Sequence, residues 1–144
     1  MVLFGKHVEA SRGVTLEEIE PRQATRTETI NGHGFRNGRD QSCVLALNEC
    51  RAACLDMVGN SIRMQGYYAE LGHVRLLEDC ARLCESTVDF LLRGSELAPE
   101  MLALCADVCR RSGRDCERFD YDQRLLDCAA ACRRSAEACD SRSA

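Results

Sequence analysis

The sequence predicts an all-α protein, an antiparallel up-down-up-down four-helix bundle with cysteines lining its core, preceded by an irregular N-terminal arm. Cysteine pairs at positions i and i+4 recur in four separate segments of the chain. That spacing falls on one face of a helix and on neither face of a strand. Short connections join the segments, which makes neighbouring helices antiparallel. We therefore assign residues 1–39 to the arm and residues 40–144 to the bundle.

Composition excludes several classes of partner. The 144 residues are enough for one domain with a core of its own, and the net charge is only −4. No basic stripe with interleaved aromatic residues is present, so we expect no nucleic-acid partner. No stretch approaches the roughly 20 apolar residues of a membrane span. The opening residues MVLFGKHVEA contain no apolar signal-peptide core. The predicted location is therefore cytoplasmic, without a membrane partner.

The arm over residues 1–39 differs from the rest of the chain. It contains no cysteine and five of the ten glycines. The turn signal Asn31-Gly32 could close a small hairpin over residues 27–35, but a flexible or loosely packed arm is the favoured interpretation. His7 and His33 have no ligand partners at useful spacing and are interpreted as solvated. We assign no chemistry to the arm.

The first two predicted helices carry five of the cysteines. The first begins with Asp40 as a plausible N-cap and ends near Gly66. Its inward face carries Cys43, Leu47, Cys50, Cys54, Met57 and Met64. The second runs from about His73 to Arg93. Its inward face carries Leu76, Leu77, Cys80, Leu83, Cys84, Thr87 and Leu91.

The last two predicted helices follow a clear stop signal. Gly94 ends the second helix, Ser95 is the capping side chain before the third, and Pro99 suits its first turn. The third helix carries the stripe Met101, Cys105, Cys109, Ser112 and Cys116. Asp120 and Gln123 form a capping-box-like start for the fourth helix. That helix ends near the last cysteine and carries inside Leu125, Cys128, Cys132, Ser135 and Cys139. Outward charged residues, interpreted as a solvated face, include Asp79, Arg82, Asp107, Arg110, Asp115 and Asp127.

The cysteine pattern favours a metal over disulfides. Eleven is an odd number, a cytosolic protein keeps its thiols reduced, and disulfide scaffolds are rich in loops. Cβ atoms at i and i+4 lie about 5 to 6 Å apart. With metal–sulfur bonds of about 2.3 Å, two sulfurs lie about 4.6 Å apart across a linear site and about 3.8 Å apart in a tetrahedral one. The linear case suits the pairs better, which favours Cu(I). Zinc, or an iron-sulfur cluster, which usually takes its cysteines from loops, remains an alternative.

The four segments also resemble a known family. CVLALNECRAAC, DCARLC, CADVCRRSGRDC and DCAAACRRSAEAC are similar to the cysteine-bearing helices of the cytosolic four-helix-bundle copper storage proteins, over about residues 41–140. The resemblance implies that many Cu(I) ions bind to interior cysteines and that the ions enter at one end past Met and His side chains. By position, the implied ligands are Cys43, Cys50, Cys54, Cys80, Cys84, Cys105, Cys109, Cys116, Cys128, Cys132 and Cys139.

The chain departs from that family at four stripe positions where the family commonly has cysteine. The residues present there are Leu47, Thr87, Ser112 and Ser135. A neutral hydroxyl is a poor ligand for Cu(I). The departures therefore predict a lower capacity than is typical, or a site adapted to another metal or to a defined cluster.

A metal entrance is predicted at one end of the bundle. A rise of about 1.5 Å per residue brings Met64 and His73 to the same height. Met57 stands one heptad before Met64, and His73 stands one heptad before Cys80, so all three are predicted to point toward the bundle axis. Met101 lies at the opposite end and is interpreted as core filler.

The predicted function is storage or buffering of multiple Cu(I) ions on core thiolates, without catalysis. Residues 70–73 match one E-x-x-H motif, but a di-iron bundle needs two. No cysteine is paired with a histidine base and a carboxylate. One alternative is a bundle with a single iron-sulfur cluster or zinc, used in electron transfer or sensing. Another is an interaction bundle with cysteine as filler. Expected partners are metal ions, a copper chaperone and further copies of the chain in a homo-oligomer.

Overall fold

Four helices make up the part of the chain that the structure, a computed structural model, describes, which is residues 38–64 and 70–144. The helices are α1 (Gly38–Met64), α2 (Leu71–Leu92), α3 (Ala98–Glu117) and α4 (Gln123–Ser143). The predicted all-α four-helix architecture is confirmed for these ranges. The predictions for residues 1–37, including the hairpin and both histidines of the arm, lie outside the described residues, as does most of the connection before α2.

The helices pack in cyclic order. α1 contacts α2 and α4, and α3 contacts the same two helices. Arg124, at the start of α4, donates to Asn60 near the end of α1 at 2.9 Å. Arg142, at the end of α4, pairs with Asp40 at the start of α1. These two contacts lie at opposite ends of the α1–α4 pair, which is consistent with the predicted antiparallel arrangement.

The start of α1 differs from the prediction. Asp40 lies inside the first turn of the helix and is buried, so it is not the residue that precedes the helix. Its carboxylate lies at the positive end of the helix dipole and pairs with Arg142. The pair links the first turn of α1 to the last turn of α4, and the helix therefore begins earlier than its sequence signal indicated.

The turn between α2 and α3 agrees with the sequence in two respects and differs in a third. Gly94 has a φ of 63°, as a C-terminal stop residue requires. Pro99 lies in the first turn of α3. The residue at the N-cap is Leu97 and no side chain caps the helix. The prediction for Ser95 was wrong, because its hydroxyl accepts from the Leu97 amide at 3.3 Å inside the turn.

The start of α4 is also displaced from its prediction. Asp122 is the N-cap, and its carboxylate accepts from the Arg124 amide at 3.0 Å. Asp120 is exposed and was wrongly predicted as the cap. Phe119 is fully buried, and its carbonyl accepts from the Asp122 amide at 3.0 Å. Burial of this aromatic ring keeps the chain in a turn for two residues longer than the capping-box pattern indicates.

The core of the bundle contains both cysteines and large apolar side chains. All eleven cysteines are buried. The largest fully buried side chains include Leu47, Leu77, Leu102, Leu125 and Phe119. These apolar residues give the helices a hydrophobic contact surface that does not depend on the thiols.

Candidate metal centre

The thiol of Cys50 on α1 contacts one thiol from each of the other three helices. Its Sγ lies 3.8 Å from Sγ of Cys80 on α2 and 3.9 Å from Sγ of Cys109 on α3. It lies 3.7 Å from Sγ of Cys132 on α4. Each of the other three helices therefore supplies one thiol to a fourth on α1. A pairing within single helices, which the sequence suggested, is only part of this arrangement.

Two groups of four thiols surround this point. One consists of Cys50, Cys54, Cys80 and Cys132, and the other of Cys50, Cys80, Cys84 and Cys109. Within each group all sulfur atoms lie within 4.8 Å of one another. The groups share Cys50 and Cys80. Because two thiols are common to both, a metal bound in one group has ligands that also face the other.

Further thiols extend the two groups along the bundle. Sγ of Cys54 lies 4.0 Å from Sγ of Cys128, and Sγ of Cys84 lies 3.9 Å from Sγ of Cys105. Cys43 interacts with Cys139, and Cys116 interacts with Cys128. We call this connected set of thiols the thiol column; it consists of Cys43, Cys50, Cys54, Cys80, Cys84, Cys105, Cys109, Cys116, Cys128, Cys132 and Cys139. The structure brings every predicted cysteine ligand into one connected set.

The spacing of the sulfurs suits bridging metals. Neighbouring Sγ atoms across helices lie between 3.7 and 4.0 Å apart. With bonds of about 2.3 Å, sulfurs lie about 3.8 Å apart at tetrahedral angles and about 4.0 Å apart at trigonal ones. Within α3, Cys105 and Cys109 lie 3.9 Å apart, shorter than the linear separation expected from the sequence. The column can therefore bind a soft ion through thiols of two or three helices with small side-chain shifts.

The thiols do not share one protonation behaviour. Hydrogen bonds from neighbouring thiols, first from Cys109, lower the pKa of Cys50 and also that of Cys80. The pKa of Cys54 is raised, first by its contact with Cys128 and further by burial, which disfavours the thiolate. Negative charge is therefore favoured on one of the two shared thiols over Cys54, since two thiolates 3.8 Å apart would repel each other. Binding to the remaining thiols requires that they release protons.

His73 lies at the end of the bundle where α2 begins and is 1 % exposed. Its Nδ1 donates to Oδ2 of Asp115 at 2.6 Å, and its ring lies 4.8 Å from the Phe119 ring. A carboxylate can only accept, so Nδ1 carries the proton. Nε2 is buried and has no hydrogen-bond partner among the described residues. In the neutral form of the ring, this tautomer places the lone pair on Nε2.

Asp115 was assigned to the solvated face by the sequence, and this was wrong. Its side chain is only 20 % exposed and accepts from both His73 and Arg118. The same helical rise, counted along the third helix, brings Cys116 to the end where His73 lies. The neighbouring carboxylate could have been identified from that height comparison.

The two predicted entrance methionines have different environments. Met57 is 3 % exposed and belongs to the core. Met64 is 53 % exposed, so the prediction that it points toward the bundle axis was wrong. A straight helix drifts by about 20° per heptad relative to a seven-residue repeat. Three heptads after Cys43, this drift moves Met64 off the inward face, and Ser61 is buried instead.

Comparison with known proteins decides the family. The model of the family described as "Csp: Copper storage protein" matches residues 36–144. The chain belongs to the copper storage protein family. The resemblance found in the sequence is thereby confirmed. The alternative of a single iron-sulfur or zinc site is not favoured by this membership.

Solved structures similar to this copper storage protein cover most of it. The Cu(I)-bound copper storage protein BsCsp3 is 31% identical with a TM-score of 0.69, and the match covers 74% of this chain and 99% of that one. The apo copper storage protein 3 from Bacillus subtilis is 31% identical with a TM-score of 0.64, covering 72% and 98%. Protein Nmul_A1745 from Nitrosospira multiformis is 32% identical with a TM-score of 0.68, covering 73% and 94%.

A curated relative matches a shorter region. The uncharacterized cysteine-rich protein YhjQ of Bacillus subtilis strain 168 is 32% identical over 82 residues. That match covers 57% of this chain and 76% of the relative.

The four departures from the cysteine stripes all lie in the core of this copper storage protein. Leu47, Thr87, Ser112 and Ser135 are each fully buried. Thr87 donates to the carbonyl four residues earlier at 2.7 Å, and Ser112 donates to a carbonyl of α2 at 3.4 Å. Ser135 accepts from Sγ of Cys109 at 3.5 Å. The hydroxyls of Thr87 and Ser112 thus bond to backbone carbonyls, and those of Thr87 and Ser135 contact the thiol column.

Proposed function

We propose that this copper storage protein stores or buffers several Cu(I) ions per chain on the thiolates of its core cysteines. The observation that carries the proposal is the position of Cys50, which lies within 3.9 Å of one thiol from each of the other three helices. A single structural ion would use four thiols. The shared pair of Cys50 and Cys80, with further thiols on either side, supports binding of more than one ion.

The proposed chemistry is ligand exchange. Each Cu–S bond forms as a Cu–ligand bond to the carrier breaks, and the thiol proton leaves to solvent. Copper remains Cu(I), because thiolates and a buried site favour the soft ion. The surrounding leucines keep water away from the metal. We propose all eleven cysteines as ligands.

His73 is proposed as an accessory ligand near the end of the thiol column. Its Nε2 lone pair is buried, and Asp115 fixes both the tautomer and the ring orientation. A carboxylate behind a histidine is a common arrangement at metal sites, because it raises the basicity of the ligating nitrogen. Met57 offers a buried thioether, whereas the exposed Met64 is dropped from this role.

The protein is proposed to act without catalysis in the cytoplasm. Glu70 pairs with Arg118 at 3.2 Å and His73 bonds to Asp115, which supports a role for the E-x-x-H motif other than a di-iron site. In the described ranges, no helix combines the length and apolar character that crossing a membrane requires. A copper chaperone is proposed as the donor.

Self-association is proposed to involve the outer face of α1. Leu45, Leu55 and Ile62 are between 43% and 62% exposed. They lie on one side of the helix at spacings of ten and seven residues, which a second copy of the chain could cover. Size-exclusion chromatography with light scattering should show an oligomer that Ile62→Lys weakens. A monomeric wild type would refute this part of the proposal.

A Cu(I) titration tests the storage function. The reduced protein is titrated under anaerobic conditions against a chromophoric Cu(I) chelator, with elemental analysis of the product. We expect a colourless protein that removes clearly more than one Cu(I) per chain from the chelator. Saturation at one equivalent or none would refute storage. A brown protein containing iron would instead support the cluster alternative.

A further inference from the structure

A surface groove lies between α1 and α4 and reaches the thiol column from the side. Its volume is about 530 Å³. Two buried sulfur-bearing side chains, Met57 and Cys128, form its floor. Alanines and charged side chains from both helices complete its lining.

The groove exists because its walls are short side chains. Ala52 and Ala53 line it on α1, and Ala131 lines it on α4. An alanine side chain ends at Cβ, so these three residues leave space between α1 and α4 next to Met57 and Cys128. Leucine at any of these positions would extend into the groove. The sequence therefore leaves a gap beside two soft ligands.

We propose that Cu(I) passes between its carrier and the core through this groove, with Met57 and Cys128 as its first ligands. The inference rests on the proposed storage function. A thioether and a thiolate are both ligands that select Cu(I). In the step, the bond from copper to the carrier breaks, a bond from copper to Sγ of Cys128 forms, and the thiol proton leaves to solvent. No electron is transferred.

An onward path leads from Cys128 into the column. Its Sγ lies 4.0 Å from Sγ of Cys54, which lies 3.8 Å from Sγ of Cys132. Cys132 in turn contacts Cys50 at 3.7 Å. Each step is short enough for an ion to bind to the next sulfur before it leaves the previous one.

The rim of the groove suits a cation. Asp56 on α1 and Asp127 on α4 line opposite walls and are exposed. Of the two arginines at the rim, Arg134 lies 3.9 Å from Glu49, and Arg124 contacts Asp122. Carboxylates on both walls of a groove raise the local concentration of a positive ion.

The end of the bundle is a weaker candidate for the passage. Phe119, Leu77 and Leu125 are all fully buried there and offer no metal ligand. The proposed ligands at that end, His73 and Cys116, are 1% and 0% exposed, and His73 bonds to Asp115. The lateral groove, by contrast, has two sulfur-bearing residues in its lining, Met57 and Cys128.

Closing the groove without removing a sulfur tests the inference. Ala131→Leu narrows it from α4, and Ala52→Leu narrows it from α1, where the exposed position avoids strain in the core. Ala103→Leu, at an exposed position on α3, is the matched control. Uptake is followed as Cu(I) leaves its bicinchoninate complex. We expect both groove variants to slow uptake by at least about tenfold, a barrier increase of about 1.4 kcal/mol. The final stoichiometry should match the wild type.

Thiol alkylation gives a readout that needs no copper. The reduced apo-protein is treated briefly with iodoacetamide, and the modified cysteine is located by peptide fragmentation. We expect Cys128 to react first among the eleven, and Ala52→Leu to slow that reaction while Ala103→Leu does not.

The outcomes separate this inference from the storage proposal. Unchanged uptake and alkylation rates in both groove variants, with several Cu(I) bound, would overturn the groove while leaving storage intact. Slower uptake in His73→Phe, without an effect of Ala52→Leu, would place the passage at the end of the bundle and also overturn it. Absence of Cu(I) binding in the wild type would refute storage itself, and the alkylation result would still test whether the groove admits a small reagent to Cys128.

Discussion

The middle of the bundle and the end around His73 are both buried, but they are built differently. In the middle, thiols from four helices contact one another. The Sγ atom of Cys50, for example, lies 3.7, 3.8 and 3.9 Å from Sγ atoms on three other helices. At the end, His73 has one fixed partner, Asp115, and packs against Phe119. The middle offers many ligands in mutual contact, whereas the end around His73 offers a single oriented imidazole.

This difference separates cargo binding from support of the fold. Thiols that contact several others can change partners without leaving a polar group unsatisfied, because each is only a weak hydrogen-bond donor. A buried imidazole held by a carboxylate has no such freedom, since loss of the partner leaves an unpaired N–H. We therefore expect changes in the middle to alter Cu(I) binding and changes at the end to alter stability.

The largest expected effect is the pH dependence of Cu(I) affinity in the middle. Contact with neighbouring thiols and burial raise the pKa values of Cys54 and Cys132, so both stay protonated near neutral pH. An ion bound by this pair displaces two protons, and its affinity should rise about a hundredfold per pH unit, or tenfold per proton. Chelator competition from pH 6 to 8, corrected for protonation of the chelator, measures the slope. A flat profile would show that these thiols are already ionised.

A smaller effect is expected from removal of the shared thiols. Cys50→Ser combined with Cys80→Ser takes two ligands from both four-thiol groups. Cys43→Ser combined with Cys139→Ser also removes two thiols, but at the far end of the column, and serves as the control. The first variant should lose about twice as many Cu(I) ions as the second, because Cys50 and Cys80 each belong to both four-thiol groups. Equal losses would contradict the idea of a connected centre.

The smallest expected effect concerns the His73 end. Asp115→Ala leaves the buried Nδ1–H of His73 without its acceptor, which should lower the free energy of unfolding by about 1–3 kcal/mol. Asp107→Ala, at an exposed position with a 3.9 Å ion pair, should change it by less than about 0.5 kcal/mol. Urea unfolding of both apo-proteins measures the difference. Cu(I) capacity should be nearly unchanged in both, because His73 is proposed only as an accessory ligand and all eleven thiols remain. A large loss of capacity in Asp115→Ala would show that His73 is a primary ligand.

The sequence predicted the middle better than the ends. Cysteine at i and i+4 fixes a helical face over a few residues, so the burial of Cys50, Cys80 and their neighbours could be read directly. The errors accumulated with distance along a helix. Met64, three heptads beyond Cys43, rotates out of the core because 3.6 residues per turn do not match a seven-residue repeat.

Features that depend on contacts between helices were also not predicted from the sequence. The partnership of His73 with Asp115 depends on the relative height of α2 and α3, and the capping of α4 by Asp122 depends on burial of Phe119. Neither follows from local spacing alone, although a comparison of heights along α2 and α3 could have identified the first. The groove above Cys128 likewise requires alanines from two helices to meet.

Copper K-edge X-ray absorption of the fully loaded protein tests most directly whether the cargo is held by the thiols of the middle. The account predicts a Cu(I) edge and a first shell dominated by sulfur at about 2.3 Å, the length of a metal–thiolate bond. A first shell dominated by nitrogen or oxygen would contradict it, because the ions would then lie at the His73 end or on the charged surface.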